Sequence, residues 1–163
     1  MNEEQLVQTV RIEPVRKQLK VGLSVEQAFE LFTAGIAKWW PLLTHSVGEA
    51  QAESCYFEGW VGGRIMEVLK DSSQSEWGRV LRWEPFHKVS FHWYPGREPS
   101  TAQEVTVTFS EIPGGSLVEL VHVGWETLGA EAQAGRDGYD TGWDFVLAKY
   151  VIEAANGLSS ITL

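Results

Sequence analysis

The feature that most restricts the fold is a run of six short segments with strand character, separated by tight turn signals. The segments are 53–57, 64–69, 75–84, 88–94, 103–112 and 116–123. Gly62-Gly63, Pro95-Gly96 and Pro113-Gly114-Gly115 stand between them, and such pairs mark turns. Because the connections are too short for parallel crossovers, the segments predict an antiparallel meander.

Two further elements are predicted before this meander. Alternating apolar residues predict a strand from Val10 to Val21, with a bulge or edge near Pro14. Ser24 is a good N-cap and Gln27 stands three residues later, as in a capping box. The helix that follows should bury the apolar residues Ala28, Phe29, Leu31 and Phe32. A second short helix is expected over 34–40, and residues 1–9 are expected to form a flexible arm.

The last long segment, 140–157, predicts one amphipathic helix that ends near Gly157. Its apolar residues recur at helical spacing and are Trp143, Val146, Leu147, Tyr150, Val151 and Ala154. Residues 124–138 are expected to form a loop. The whole order predicts an α+β fold in which a curved seven-stranded antiparallel sheet wraps around the C-terminal helix, with two short helices after the first strand. Such a fold leaves a cavity between sheet and helix.

Composition excludes several classes of function. The 163 residues fit one domain, expected over 10–163, and the net charge of −9 argues against nucleic-acid or anionic-lipid binding. The polar, acidic start and the absence of a long apolar run predict a cytoplasmic protein without membrane segments. Cys55 stands alone, and the four histidines show no metal-ligand spacing, so neither a disulfide nor a metal or other cofactor is predicted.

Several segments together resemble a known superfamily. They are 28–33 with Trp39-Trp40-Pro41, Gly62-Gly63-Arg64, Trp77-Gly78-Arg79-Val80, 89–93, 120–125 and Gly142-Trp143. In order and spacing they resemble the START-like (SRPBCC, helix-grip) superfamily, which includes the birch-pollen allergen fold. The branch they resemble is that of the C-terminal domain of the heat-shock chaperone ATPase activator. The resemblance implies the helix-grip fold and an internal cavity. It implies no single activity, since members include lipid carriers, hormone binders, aromatic cyclases and co-chaperones.

The candidate ligand-binding residues are mainly aromatic side chains that both layers should direct inward. They are Trp39, Trp40, Phe57, Trp77, Arg79, Phe91, Trp93, His122, Trp143, Leu147 and Tyr150. Whether the space between them is an open pocket or a filled core is not readable from the sequence. For Trp39 and Trp40 the alternatives are a stacking platform at the cavity rim and a hydrophobic plug between the short helices and the sheet.

Two polar candidates carry alternatives as well. Arg79 shares the parity of the apolar residues in its segment, so it could face inward and receive a ligand carboxylate. A bulge could instead place it at the surface, or it could pair with Glu67. His122, with Glu119 nearby, could be a general base or a hydrogen-bonded structural residue. The same alternatives apply to His45.

The function that we predict from the sequence is non-enzymatic binding of a small apolar or aromatic ligand in the cavity. One alternative is a co-chaperone-like interaction with a chaperone partner. An enzyme that uses His122 ranks last, because the sequence offers no trio of nucleophile, base and orienting residue. A monomer or weak homodimer is expected.

Overall fold

A computed structural model describes residues 11–161, with side chains as far as Gly157. Its strands are β1 (Val15–Val21), β2 (Ala52–Phe57), β3 (Arg64–Leu69), β4 (Gln74–Glu84), β5 (Lys88–Trp93), β6 (Gln103–Ile112) and β7 (Gly115–Val123). Its α-helices are α1 (Val25–Phe32) and α2 (Ala132–Ile161). Short 3-10 turns lie at Ile36–Lys38, Glu49–Gln51, Pro99–Thr101 and Trp125–Glu131.

The seven strands form one antiparallel sheet in the order β1-β7-β6-β5-β4-β3-β2. Six strands form a meander, and β1 returns to pair with the last of them. The curved sheet packs its apolar face against α2, whose Tyr150 hydroxyl donates to the carbonyl of Ala28 on α1 over 2.7 Å. This arrangement confirms the predicted helix-grip fold.

The N-terminal part differs in detail from the prediction. β1 begins at Val15, so the expected strand start at Val10 and the arm 1–9 lie outside the described residues. The capping box is confirmed: Ser24 Oγ accepts from the Gln27 amide, and Gln27 Oε1 accepts from the Ser24 amide. Leu31 is only half-buried. The second short helix shrinks to the 3-10 turn Ile36–Lys38, three residues before Pro41.

The C-terminal helix is longer than predicted. It begins at Ala132, so the expected loop at 124–138 is mostly a 3-10 turn and helix, and it continues past Gly157. The glycines there lower helix propensity, but tertiary packing of Trp125 and Ala132 outweighs this preference. Val151 was wrongly placed on the buried stripe and is 37% exposed. Among the described residues, no helix is long and apolar enough to span a membrane.

Two bulges in β4 decide between the alternatives for Arg79, which lies at the surface and not in the cavity. Against β3, Trp77 is an extra residue, so Trp77 and Gly78 are both buried in succession. Against β5, Leu81 is the extra residue. The first bulge shifts the parity, so Arg79 points outward, where its half-exposed guanidinium pairs with Glu76 at 3.0 Å. A side chain at Gly78 would collide with the carbonyl oxygen of His92, 1.9 Å from the added Cβ, so this bulge requires glycine.

Candidate functional site

The deep interior between sheet and helix is a filled aromatic core. Six of the predicted site residues are buried there: Trp39, Phe57, Trp77, Phe91, Leu147 and Tyr150. The Trp39 ring packs at 5.2 Å from Phe32 and 5.1 Å from Tyr150, and its indole nitrogen donates to the carbonyl of Leu31. Of the two alternatives for Trp39, the structure shows the hydrophobic plug and not the stacking platform at the cavity rim.

An open pocket of about 310 Å³ lies at one end of this core. Three of its sides come from parts of the chain that are distant in sequence. The start of α2 supplies Tyr139, Gly142, Trp143 and Val146. The segment after Pro41 supplies Thr44, His45, Ser46 and Val47, with Trp40 beside them. The end of β5 and the following turn supply Trp93, Pro95 and Gly96.

Three of the predicted residues line this pocket, and they are Trp40, Trp93 and Trp143. Their rings contact one another, with centroids 5.7 Å apart for Trp40 and Trp93 and 6.0 Å apart for Trp93 and Trp143. Trp40 is half-buried and forms part of the pocket wall, whereas its neighbour Trp39 is sealed in the core.

The sequence did not predict the rest of the lining as binding residues, although His45 was considered as a base or a structural residue. Residues 44–47 carry no helix or strand pattern, and Tyr139 falls between the predicted loop at 124–138 and the predicted helix at 140–157, whereas the structure places it within α2. Only the tyrosine carried a usable signal, since it lies four residues before Trp143 and therefore on the same face of a helix. The loop residues carried no periodic signal, because a loop is positioned by its anchors rather than by its own pattern.

The anchor of the 44–47 segment is the buried carboxylate of Glu67. This side chain points inward from β3 and is fully buried. Its Oε1 accepts from the Val47 amide and the Trp77 indole, both at 2.8 Å, and its Oε2 accepts from the Gly48 amide at 2.7 Å. Three charge-assisted hydrogen bonds offset the burial of the carboxylate. Glu67 therefore fixes the loop and does not pair with Arg79.

His122 lies behind Trp143 and is fully buried. Trp143 Nε1 donates to His122 Nδ1 over 3.0 Å, so His122 Nε2 carries the proton and donates to Gln103 Oε1 over 3.2 Å. The amide of Gln103 in turn donates to the carbonyl of Thr101. Burial lowers the pKa of His122 to about 3, which keeps the ring neutral.

These contacts leave His122 without a base function in this arrangement. Both ring nitrogens are engaged by protein groups, and the ring stacks on Trp125 at 4.1 Å. Glu119, the proposed companion, lies on the opposite face of β7, where residues alternate between buried and half-buried. His122 is therefore the hydrogen-bonded structural residue of the two alternatives.

The pocket has no charged lining residue among those described. Burial lowers the pKa of His45, and its Nδ1 shares a hydrogen bond with the Thr44 hydroxyl at 2.8 Å. Within residues 11–161, no group of three metal-ligating side chains comes together. Cys55 is buried beside Glu67, and burial raises the pKa of its thiol to about 12. The site is suited to a neutral, apolar molecule rather than to a metal or an ion.

Comparison with known families decides the relationship. The model of the "Activator of Hsp90 ATPase homolog 1-like protein" family matches residues 23–150, which is more than half of the chain. The chain belongs to this family. Membership in the Activator of Hsp90 ATPase homolog 1-like family supports a ligand-binding or co-chaperone-like domain. No curated protein matches the chain.

Solved structures add three relatives. The anthrahydroquino-γ-pyrone synthase Txn09 is 35% identical over 74% of this chain and 82% of its own, with a TM-score of 0.55. The Aha1 dimer from Colwellia psychrerythraea is 17% identical, covers 86% of this chain and 94% of its own, and has a TM-score of 0.63. Protein MLL2253 from Mesorhizobium loti is 18% identical, covers 88% of this chain and 97% of its own, and has a TM-score of 0.62. The last two show the shared fold.

Proposed function

We propose that this protein binds a small, flat, largely apolar aromatic molecule in the 310 Å³ pocket, without transforming it. The observation that carries the proposal is the lining: three tryptophans surround an uncharged space that the packed core leaves open. Aromatic walls bind flat rings through offset and edge-to-face contacts and through burial of apolar area.

The pocket walls are held in place before any ligand arrives. Trp40 donates from its indole nitrogen to the carbonyl of His45 over 2.7 Å, and Glu67 accepts from the amides of Val47 and Gly48. Trp143 is tied to His122 on the sheet. A preformed pocket loses little conformational entropy on binding, which favours affinity for a rigid ligand.

Native mass spectrometry of the protein as purified tests the proposal directly. Extra mass that leaves on denaturation, or that appears after incubation with polycyclic aromatic compounds, supports it. A panel of fatty acids and sterols serves as the comparison, because flexible or bulky ligands should fit the rigid tryptophan walls less well. A protein that binds none of the aromatic compounds at micromolar concentration contradicts the proposal.

A pair of glycine substitutions shows whether binding occurs in this pocket. Gly142 lines it, and an added Cβ there meets nothing within 4 Å, so Gly142→Leu should fill the pocket without disturbing the core. Gly138 lies one turn earlier on α2, is exposed and also has open space around it. Gly138→Leu is therefore the matched control and should leave binding unchanged. Equal effects of both substitutions would place the ligand elsewhere.

A second candidate is chemistry on a polycyclic aromatic substrate. It is favoured by the 35% identity to an anthrahydroquino-γ-pyrone synthase. In this chain such chemistry would take place among Tyr139, His45 and the tryptophans, because His122 is sealed behind Trp143. Incubating a bound polycyclic compound and measuring its mass before and after distinguishes the two: an unchanged mass supports binding alone.

The protein-interaction alternative follows from the family description alone. It predicts complex formation with an Hsp90 chaperone and, for the chain itself, a monomer or a homodimer. Isothermal titration with purified Hsp90, in the presence and absence of a pocket ligand, measures complex formation. Sedimentation analysis measures the oligomeric state of the chain.

A further inference from the structure

The geometry points to a specific hydrogen-bond donor in the pocket wall: Trp93 Nε1–H donates to a carbonyl oxygen of the ligand, which is a neutral aromatic ketone or quinone. This inference deepens the proposed function and rests on it. The proposed function rests on the aromatic walls of the pocket, whereas the chemical class of the ligand rests on one unpaired indole N–H.

The indole nitrogen of Trp93 is exceptional among the tryptophans of the interior. Five others donate to a protein acceptor at 2.7–3.1 Å, and they are Trp39, Trp40, Trp77, Trp125 and Trp143. Trp93 is only 3% exposed, yet its Nε1 has no hydrogen-bond partner among the described residues. Buried donors are nearly always paired, so an unpaired one beside a pocket indicates that a ligand supplies the acceptor.

Trp93 lines the pocket, but its Nε1 has almost no exposed surface, so a ligand oxygen reaches it only when a neighbouring side chain such as Tyr139 moves aside. The Trp93 ring is wedged between Phe91, Trp77 and Trp143 at 5.6–6.0 Å, so it is held in one orientation. Burial raises the pKa of Tyr139, which also lines the pocket, while the Arg97 charge and the nearby indole N–H of Trp93 lower it in part. The indole N–H and the Tyr139 hydroxyl do not reach hydrogen-bond geometry.

Most of the other polar side-chain groups of the lining bond to protein groups. The Ser46 hydroxyl donates to the carbonyl of Leu42 and accepts from the amide of Glu49. The Thr44 hydroxyl and His45 Nδ1 bond to each other. These partners leave the Trp93 N–H, the adjacent Tyr139 hydroxyl and His45 Nε2 as the groups that can recognise a polar atom of the ligand, and among them the Trp93 N–H is the buried unpaired donor.

The chemistry of this acceptor follows from what surrounds it. An indole N–H only donates, so the ligand atom must be an oxygen or nitrogen lone pair. Burying a carboxylate in a pocket without a cationic lining residue is unfavourable, and the pocket has none among its described walls. A carbonyl on a fused aromatic ring satisfies both conditions, since it accepts in the ring plane and carries no charge.

The matched probes are 9-fluorenone and fluorene, which share three fused rings and differ only at C9, a carbonyl in the first and a CH₂ group in the second. Calorimetric titration of the wild-type protein should give a dissociation constant for fluorenone about tenfold lower than that for fluorene. The anionic probe 9-oxofluorene-2-carboxylate should bind more weakly than fluorenone. A stronger affinity for the carboxylate would overturn the assignment of a neutral ligand.

Two variants separate the hydrogen bond from the packing. Trp93→Phe removes the N–H and should bring the ratio of the two dissociation constants close to one. Val146→Ala also removes part of the pocket wall, so it should weaken the binding of both probes but leave the ratio of their dissociation constants unchanged. Infrared spectra of fluorenone bound to the wild-type protein give a reading that needs no variant: the carbonyl stretch should shift to lower wavenumber than in an apolar solvent.

The outcomes distinguish the two levels of the proposal. If fluorenone and fluorene bind equally well and the carbonyl stretch is unshifted, the pocket binds aromatic molecules but Trp93 does not recognise their oxygen. If neither probe binds and native mass spectrometry finds no aromatic ligand, the proposed function fails together with this inference.

Discussion

Trp143 on α2 donates a hydrogen bond from its indole nitrogen to Nδ1 of His122 on β7, over 3.0 Å. Both side chains are buried, and Trp143 also forms part of the pocket wall. The bond therefore couples the position of the helix, the tautomer of the histidine and the shape of the pocket. It continues through His122 Nε2 to Gln103, whose amide donates to a backbone carbonyl.

Replacing Trp143 by phenylalanine should lower the free energy of unfolding by about 2–4 kcal/mol. The substitution removes indole volume from the core and leaves the His122 acceptor without a donor. Urea denaturation followed by circular dichroism measures the change. Trp60→Phe is the control, because Trp60 is 56% exposed and should change stability by less than about 0.5 kcal/mol. Equal losses in the two variants would contradict the role of the bond.

The buried histidine also predicts how stability depends on pH. Burial lowers the pKa of His122 from 6.5 to about 3 in the native state, so between these values the unfolded chain binds the extra proton. Stability is therefore retained above pH 6.5 and lost as the pH falls toward 3. From pH 7 to 5 this group should lower the free energy of unfolding by about 2 kcal/mol.

His122→Gln isolates that contribution. A glutamine amide can accept from Trp143 and donate to Gln103, so it conserves both hydrogen bonds without titrating. Denaturation of both proteins at pH 7 and pH 5 gives the difference between them. Parallel losses of stability in the two proteins would show that His122 does not cause the pH dependence.

The sequence predicted the fold well because strands and helices carry periodic signals. The ends of β3 and β6 match the prediction residue for residue, and the other predicted meander strands differ by one residue at an end. The sequence left alternatives open where periodicity is interrupted. It could not choose between an inward and a surface position for Arg79, because the bulges on either side of it, at Trp77 and Leu81, depend on how neighbouring strands pair.

The pocket was predicted only in part for a related reason. Alternation identified Trp93 and helical spacing identified Trp143 as inward residues, whereas Trp40 was a candidate through the resemblance of Trp39-Trp40-Pro41 to the superfamily. Neither pattern tells which inward side chains close-pack and which leave space. Phe57 and Phe91 face inward as expected, but they fill the core, with ring centroids 5.5 Å apart.

Two glycine-to-alanine substitutions, one in the β4 bulge and one on α2, should have opposite effects on stability. Gly78→Ala places a methyl group against the carbonyl oxygen of His92 on β5, so the strands must separate and stability should fall by on the order of 3 kcal/mol. Gly138→Ala adds a methyl group in open space within α2 and should raise stability by about 0.5–1 kcal/mol. Thermal denaturation of the two variants measures both effects. A tolerated alanine at 78 would contradict the close approach of the strands.

Removing the charge of Glu67 should loosen the pocket loop more than it loosens the fold. In Glu67→Gln one side-chain oxygen becomes an NH₂ group that faces N–H donors, so at least one of the three hydrogen bonds is lost. The free energy of unfolding should fall by about 1–3 kcal/mol. Hydrogen exchange at the amides of Val47 and Gly48 should accelerate well beyond that of the central strands.

The control is Glu53→Gln, on the neighbouring strand β2, where the side chain is exposed. It changes the net charge by the same amount and should alter neither stability nor exchange in the loop. Because Val47 forms part of the pocket wall, the Glu67 variant should also bind aromatic probes more weakly, and the control should bind them normally. If loop exchange stays slow in Glu67→Gln, the loop is held by Trp40 and its bond to His45 rather than by the buried carboxylate.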